Sequence, residues 1–162
     1  MTTASPSPNV PSFVYREVIR LTAAGIWLSD EHEISHEPTR RLFAKSLRHD
    51  SQGYQIVIGS ESKRILVEDT AYFIHRMDRL ENGTVQLWVN DEEIEPLVPA
   101  TLEYRPGRLT CQIQRRGQQE TAKFLHAAYV DLLQNLDEDE SRYFLRLSGR
   151  EFTLARKSSN TS

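Results

Sequence analysis

Alternation of apolar and polar residues, interrupted at short intervals by turn residues, is the feature that most constrains the fold of this chain. Apolar side chains recur at every second position in several segments from Tyr54 onward, as at Val85, Leu87 and Val89. That period places one face of a strand against a core and the other toward solvent. Asn82-Gly83 separates two such segments and is the strongest hairpin signal in the chain. The pattern predicts mostly antiparallel strands.

Three segments carry helical spacing instead, at residues 13–21, 39–49 and 125–136. The third has a continuous apolar stripe, which is typical of a helix packed on a core. The second follows Glu37-Pro38-Thr39, and proline suits the first turn of a helix. We therefore expect an α+β fold with about three helices packed on antiparallel strands.

A length of 162 residues suits one domain or two small lobes. The acidic, proline-containing stretch 91–99 is the best candidate for a boundary. We expect a disordered tail at 1–12, an N-terminal α+β lobe at 13–95, a C-terminal α+β lobe at 96–156 and a second tail at 157–162.

Composition excludes several classes of protein. The chain has 20 Lys and Arg against 23 Asp and Glu, a net charge of −3, which disfavours a dedicated nucleic-acid binder. The single cysteine, Cys111, excludes an internal disulfide framework and a cysteine-cluster zinc site. It alternates with Leu109 and Ile113, which predicts a buried thiol. Apolar stretches are short and no signal peptide is recognisable, so we expect a cytoplasmic protein without membrane contact and without a cofactor.

Charge is unevenly distributed. Residues 66–100 carry 2 basic and 8 acidic residues, residues 101–123 carry 5 and 2, and residues 141–162 carry 5 and 1. Acidic and basic regions attract each other within a chain or between chains, so a homo-oligomer is one open option. The alternative is that these charges belong to solvated loops.

His32-Glu33-Ile34-Ser35-His36 matches the H-E-x-x-H pattern of zinc hydrolases. On a helix, the two histidines would share one face and bind the metal, and Glu33 would act as general base. His75 or Glu68 would supply a third ligand. However, a polar turn precedes the motif and Pro38 follows it, which disfavours a helix. The preferred interpretation is a two-stranded ribbon with surface histidines and no metal.

A basic helix face is predicted in residues 39–49, where Arg41, Lys45 and Arg48 recur at i, i+4 and i+7. Such a face would hold a phosphate or an acidic partner. A solvated face opposite Leu42 and Phe43 explains the same spacing.

Four further residues are candidates for ligand binding. Glu68 and Asp69 end a strand and His75 lies in the next, a combination that suits acid-base work, metal binding or simple backbone capping. Trp88 lies on the polar face of its strand, where it would mark a pocket or an interface, or would simply be covered by the other lobe.

The order of several motifs resembles the bacterial domain-of-unknown-function family 1285. The residues that carry the resemblance are Trp27, Ile34, Leu42-Phe43-Ala44 with Leu47, Gly53-Tyr54, Lys63 and Ile65-Leu66-Val67-Glu68-Asp69, and in the second half Arg116-Gly117, Ala128-Tyr129 and Leu132. It covers about residues 26–155. The turn Asp30-Glu31-His32-Glu33 departs from the Gly-Pro pattern of the family. The resemblance implies a bacterial cytoplasmic α+β protein of two small lobes, and it implies no activity.

Three functions remain open at this point. The leading hypothesis is a non-catalytic module that binds a small molecule or a protein, because no catalytic constellation is specific. The enzyme alternative is a zinc-dependent hydrolase that uses His32, Glu33 and His36. The third is a nucleic-acid-associated protein that uses the basic helix 39–49.

Overall fold

The computed structural model describes residues 17–147 and 149–157. The chain forms two compact units, Met1–Ala71 and Tyr72–Ser162. The sequence places the division after Glu95 instead, but a strand at Ile94–Pro96 crosses that position and pairs with Val85–Val89. The predicted tails lie outside the described residues except for Lys157.

The described part of the first unit, residues 17–71, contains two small sheets and one helix. Its elements are β1 (Ile19–Leu21), β2 (Trp27–Ser29), β3 (His32–Glu33), α1 (Glu37–Lys45), β4 (Leu47–Asp50), β5 (Gly53–Ile58), β6 (Glu61–Arg64) and β7 (Leu66–Val67). The strand order is β3-β2-β1-β7 in one sheet and β4-β5-β6 in the other. Trp27 and Phe43 pack edge to face, with ring centroids 5.5 Å apart, and anchor the core of this unit.

The predicted helix at 13–21 is wrong where the structure describes it. Residues 13–16 lie outside the described part, and Ile19–Leu21 is strand β1. Ile19 and Leu21 are buried on one side of the strand, antiparallel to β2 and parallel to β7. Strand pairing therefore outweighs the helical spacing of Val14, Val18 and Leu21.

The predicted helix at 39–49 is too long. Helix α1 ends at Lys45, where the Ser46 hydroxyl donates to the Leu42 carbonyl at 2.6 Å. Residues 47–50 instead form β4, which pairs with β5. Leu47 is buried as a residue of this strand and not as part of a helix face. The predicted entry at Glu37-Pro38 is confirmed, because the helix begins at Glu37 with the proline in its first turn.

The second unit contains a large sheet, a small sheet and a helix. Its elements are β8 (Tyr72–Arg79), β9 (Val85–Val89), β10 (Ile94–Pro96), a 3₁₀ turn (Pro99–Thr101), β11 (Glu103–Arg105), β12 (Arg108–Arg115), β13 (Gln118–Phe124), α2 (His126–Leu133), β14 (Leu136–Glu138), β15 (Arg142–Leu147) and β16 (Arg150–Arg156). The large sheet has the order β10-β9-β8-β13-β12-β11 and the small one β14-β15-β16.

The core of the second unit follows the predicted alternation. Val85, Leu87 and Val89 are buried along β9, and Leu109, Cys111 and Ile113 are buried along β12. The predicted helix at 125–136 is confirmed over His126–Leu133, with Ala128 and Leu132 buried. Of its last residues, Gln134 and Asn135 form a turn, and Leu136 belongs to β14, which pairs with β15.

The fold is therefore strand-rich α+β, with two α-helices among the described residues and not three. Most strand pairs are antiparallel, as predicted. Two pairs are parallel, β1 with β7 and β8 with β13. Among the described residues, no helix has the length and apolar character needed to cross a membrane.

Candidate functional site

A cavity of about 400 Å³ opens in the second unit. Three chain segments surround it: the turn between β8 and β9, the stretch that follows β10, and the hairpin of β15 and β16. The lining residues are Asn82, Gly83, Thr84, Val85, Leu97, Pro99, Leu147, Arg150 and Phe152.

The rim at the β8–β9 turn is fixed by local hydrogen bonds. The Asn82 carboxamide oxygen accepts from the Thr84 backbone N–H at 2.9 Å, and the Leu80 N–H donates to the Thr84 carbonyl at 2.8 Å. Gly83 has a φ of 85°, a conformation that glycine adopts without strain. The predicted Asn-Gly hairpin is thus confirmed, and it contributes Asn82 and Thr84 to the cavity lining.

Apolar side chains form the floor. Val85, Leu97 and Leu147 are each less than 10% exposed, at 5%, 7% and 6%. The Leu97 backbone N–H donates to the Val85 carbonyl at 2.8 Å, which ties two walls together. Phe152 is half-buried beside them. The floor therefore favours an apolar group.

Arg150 is the charged residue of the lining. It pairs with Leu147 across the β15–β16 ladder, so the register that buries Leu147 sets the guanidinium beside the floor. Arg150 is exposed and forms no ion pair with any residue in 17–147 or 149–157. No carboxylate is among the described lining residues. The cavity thus combines an apolar floor with one cation and two neutral donors.

A second polar cluster, the Arg115 clasp, consists of Asp91, Glu95 and Arg115. The Arg115 Nε donates to Asp91 Oδ2 at 2.5 Å and Nη2 donates to Asp91 Oδ1 at 3.1 Å, while Nη1 pairs with Glu95. Burial opposes the charge on Arg115, but the hydrogen bonds to both carboxylates outweigh it and raise the pKa of the guanidinium.

The Arg115 clasp curls the large sheet. Arg115 ends β12 and Glu95 lies in β10, and three strands separate β10 from β12 in the sheet order. In a flat sheet, four spacings of roughly 4.8 Å would hold these strands about 19 Å apart. Their direct contact requires strong curvature. The within-chain attraction of acidic and basic regions, one of two interpretations of the charge pattern, is present at this position.

Tyr72 lies under the clasp, with the Arg115 guanidinium carbon 5.5 Å from its ring centroid. Burial raises the pKa of Tyr72 to about 12, and the negative charges of Glu120 and Asp91 add to the effect. The clasp carboxylates already hold partners inside the unit. This arrangement serves the sheet and leaves the cavity as the better candidate for a ligand.

Trp88 is half-buried on the outer face of the large sheet. Its indole Nε1 donates to Asp78 Oδ2 at 2.8 Å, and the Arg76 guanidinium lies 4.8 Å from the ring centroid. Arg76 also contacts Asp78 at 3.2 Å. The donor and one ring face of Trp88 are therefore engaged by β8, away from the cavity lining.

Glu68 holds the first unit together. It accepts from the Ala23 backbone N–H at 2.8 Å and pairs with Arg20, which also pairs with Glu31. Asp69 follows it in a bend after β7. His75 is exposed in β8, at a bulge between Ile74 and Arg76. Glu68 thus takes the backbone-capping role that the sequence offered as one option.

The predicted single basic helix face is wrong. Arg41 pairs with Glu37 on α1, and Lys45 is the last residue of that helix. Arg48 lies on β4 and donates to the Leu47 carbonyl at 2.8 Å. The i, i+4, i+7 spacing does not place these residues on one helix, because the chain turns into a strand between Lys45 and Arg48.

The HEISH segment adopts the predicted ribbon. His32 and Glu33 form β3, which pairs with β2, and His36 immediately precedes α1. The His32 Nδ1 lies 3.0 Å from the Asp30 carbonyl, and the His36 Nδ1 lies 2.8 Å from the Thr39 hydroxyl. The helical geometry of the zinc motif is therefore not adopted. Residues 17–147 and 149–157 contain no group of three His, Cys, Asp or Glu suited to a metal ion.

Cys111 is a core residue, as predicted. Its side chain is fully buried in β12. Burial raises the pKa of the thiol to about 12, and the nearby Glu95 adds to the shift. The group therefore stays protonated, the opposite of what a nucleophile needs.

Sequence reasoning missed the cavity and the Arg115 clasp. Both depend on residues from segments far apart in the chain. The available signals were the two turns that border the cavity, Asn82-Gly83 and the turn before Arg150. Ser148, part of that second predicted turn, lies outside the described residues.

Comparison with known structures identifies the fold. A DUF1285 family protein from Silicibacter pomeroyi DSS-3 superposes with a TM-score of 0.60 and 16% identity, over 96% of this chain and 90% of that one. The chain has the DUF1285 fold. A DUF1285 family protein from Shewanella baltica OS155 gives a TM-score of 0.59 and 16% identity, over 74% of this chain and 92% of that one.

The DUF1285 resemblance read from the sequence is confirmed by these neighbours. At 16% identity the likeness concerns the fold. No family model matches the chain, and no curated protein matches it. The relatives' descriptions name no ligand, so function must be argued from the cavity.

Proposed function

We propose that this protein is a non-catalytic binding module of the bacterial cytoplasm, and that its second unit holds a small molecule in the cavity bordered by Asn82, Leu97 and Arg150. The observation that carries the proposal is the joining of an apolar floor and a few polar groups in one concavity. Its volume of about 400 Å³ lies in the range of roughly 300–1,000 Å³ that is usual for ligand pockets.

The chemistry of the lining supports binding. Turnover by a nucleophile requires a base within hydrogen-bond reach, and general acid–base catalysis requires a titratable pair. The described lining offers one hydroxyl, one carboxamide and one guanidinium, set against apolar side chains. These are groups that orient a ligand by donating hydrogen bonds.

The test is a ligand screen with a blocked cavity. Small organic acids, amines and neutral compounds are screened by thermal shift and by NMR against the full chain. The variant Thr84→Trp places a bulky side chain at a lining position and keeps the backbone hydrogen bonds of Thr84 that hold the turn. Gln119→Trp, on an exposed position of β13, is the matched control.

We expect ligands that stabilise the wild-type chain to lose their effect on Thr84→Trp and to keep it on Gln119→Trp. Equal binding to both variants would place the site elsewhere and overturn the proposal. The absence of any responding compound, or chemical turnover of a bound one, would also overturn it.

A further inference from the structure

We infer that the ligand of this cavity is a small amphipathic carboxylate, with its carboxyl group on the Arg150 guanidinium and its apolar body on the floor formed by Val85, Leu97 and Leu147. This inference rests on the proposed function and names the class of ligand for the same site.

The charge of the site is the first argument. The chain as a whole is acidic, with a net charge of −3, yet the described lining contains Arg150 and no carboxylate. A cation in a lining that holds no carboxylate attracts anions and repels cations. The Asn82 NH₂ group and the Thr84 hydroxyl add donors that suit an anionic oxygen.

The state of Arg150 is the second argument. Its neighbours on the same small sheet are paired: Arg142 with Asp139 and Glu151, and Arg146 with Asp137 and Glu151. Arg150 has no such partner among the described residues. A guanidinium presents a planar fork that fits a carboxylate with two hydrogen bonds. Arg156 of the same sheet also lacks an ion pair among the described residues, but of these two arginines only Arg150 lies in the cavity lining, where it can receive an external anion.

The balance of charge and apolar surface selects a carboxylate over a phosphate. One guanidinium matches one negative charge, whereas a phosphate monoester carries up to two at neutral pH. The buried side chains of Val85, Leu97 and Leu147 offer nothing to a compact inorganic ion. Phe152 lies two residues after Arg150 in β16 and extends the apolar wall of the cavity. An acid with a hydrocarbon body satisfies both parts of the site.

The test compares three probes of one chain length: octanoate, 1-octanol and octyl phosphate. Binding to the full chain is measured by calorimetry and by NMR. The variants are Arg150→Gln, which removes the charge, and Arg150→Lys, which keeps the charge but removes the fork. Arg156→Gln is the control, because Arg156 is exposed on the same strand and lies outside the lining.

We expect octanoate to bind more tightly than 1-octanol and octyl phosphate. Arg150→Gln should weaken octanoate about 10- to 100-fold, as expected for the loss of a charge-assisted hydrogen bond, and change 1-octanol less than twofold. Arg150→Lys should fall between, and Arg156→Gln should match the wild-type chain. Melting curves confirm that each variant is folded.

The outcomes separate the two proposals. If Thr84→Trp abolishes octanoate binding but Arg150→Gln does not, the cavity stands and the role of Arg150 is overturned. Tighter binding of 1-octanol or of octyl phosphate overturns the carboxylate in favour of a neutral or a phosphorylated ligand. If none of the three probes responds to Thr84→Trp while another compound of the screen does, only the ligand class fails.

Discussion

Tyr72 is a buried phenol between charged groups, and its titration should be visible in the stability of the protein. Its pKa is raised from 10.0 to about 12. Between pH 10 and pH 12 the unfolded chain loses a proton that the folded chain keeps. Stability contributed by this group is therefore complete below pH 10 and falls as the pH rises toward 12, by up to about 3 kcal/mol.

Urea unfolding at a series of pH values measures this effect. Tyr72→Phe keeps the buried ring and removes the hydroxyl. We expect the difference in unfolding free energy between the wild-type chain and Tyr72→Phe to be constant below pH 9 and to shift in favour of the variant above pH 10. A difference that stays constant up to pH 12 would contradict the assignment.

At the scale of single residues, the sequence predicts burial better than it predicts partners. The alternation of Leu109, Cys111 and Ile113 correctly places Cys111 in the core. The same alternation says only that Arg115 continues that face. It gives no sign that Glu95 would meet Arg115, because this contact requires curvature of the whole sheet.

At the scale of secondary-structure elements, the Arg115 clasp joins the end of β12 to β10 and to the loop that precedes β10. The side chains of Arg115 and Asp91 are only 12% and 7% exposed. Arg115→Met would leave the buried Asp91 carboxylate and the half-buried Glu95 carboxylate without their ion-pair partner. We expect a loss of about 3 kcal/mol, the lower end of the cost of breaking a buried ion pair, because Glu95 keeps some contact with solvent.

Chemical denaturation provides the measurement. Arg105→Met, on the exposed face of β11, is the matched control and should change stability by less than about 0.5 kcal/mol. Adding Asp91→Leu to Arg115→Met should recover part of the lost stability, because it removes a buried carboxylate that no longer has an ion-pair partner. If Arg115→Met is as stable as the control, the clasp does not stabilise the sheet.

Elements whose signal is local were predicted well, and those decided by a distant partner were not. The ribbon at His32 and Glu33 and the helix entry at Pro38 follow from turn residues and proline. The sequence predicts Arg48 in a helix because its spacing fits one, but the segment that contains Arg48 pairs with β5 and forms a strand. Residues 19–21 changed class for the same reason, through pairing with β2 and β7.

At the scale of the whole molecule, the distribution of charge argues against nucleic-acid binding. The net charge is −3, Arg41 pairs with Glu37, and Arg48 is separated from the helix. We expect the protein to pass a heparin column unretained at 50 mM NaCl and pH 7. Arg41→Gln and Lys45→Gln should elute at the same volume. Retention that is lost steeply with salt, and weakened by these substitutions, would contradict this expectation.

The lobe boundary expected from composition and the division of the structure into units lie at different positions in the chain. Composition suggested the acidic stretch 91–99, whereas the chain divides between Ala71 and Tyr72. The reason is that β10 continues the ladder of β9, so a segment that is polar and rich in proline still belongs to a sheet. The composition of a segment indicates whether it is exposed to solvent, but it does not indicate which strand the segment pairs with.

The parallel pairing of β8 with β13 has a consequence for synthesis on the ribosome. Tyr72 pairs with Ala122, 122 − 72 = 50 residues later in the chain. At a translation rate of roughly 5–20 residues per second, one edge of β8 waits about 3–10 seconds for its neighbour to be made. During that interval the nascent chain offers the unpaired backbone of Tyr72, Phe73 and Ile74 to chaperones or to other growing chains.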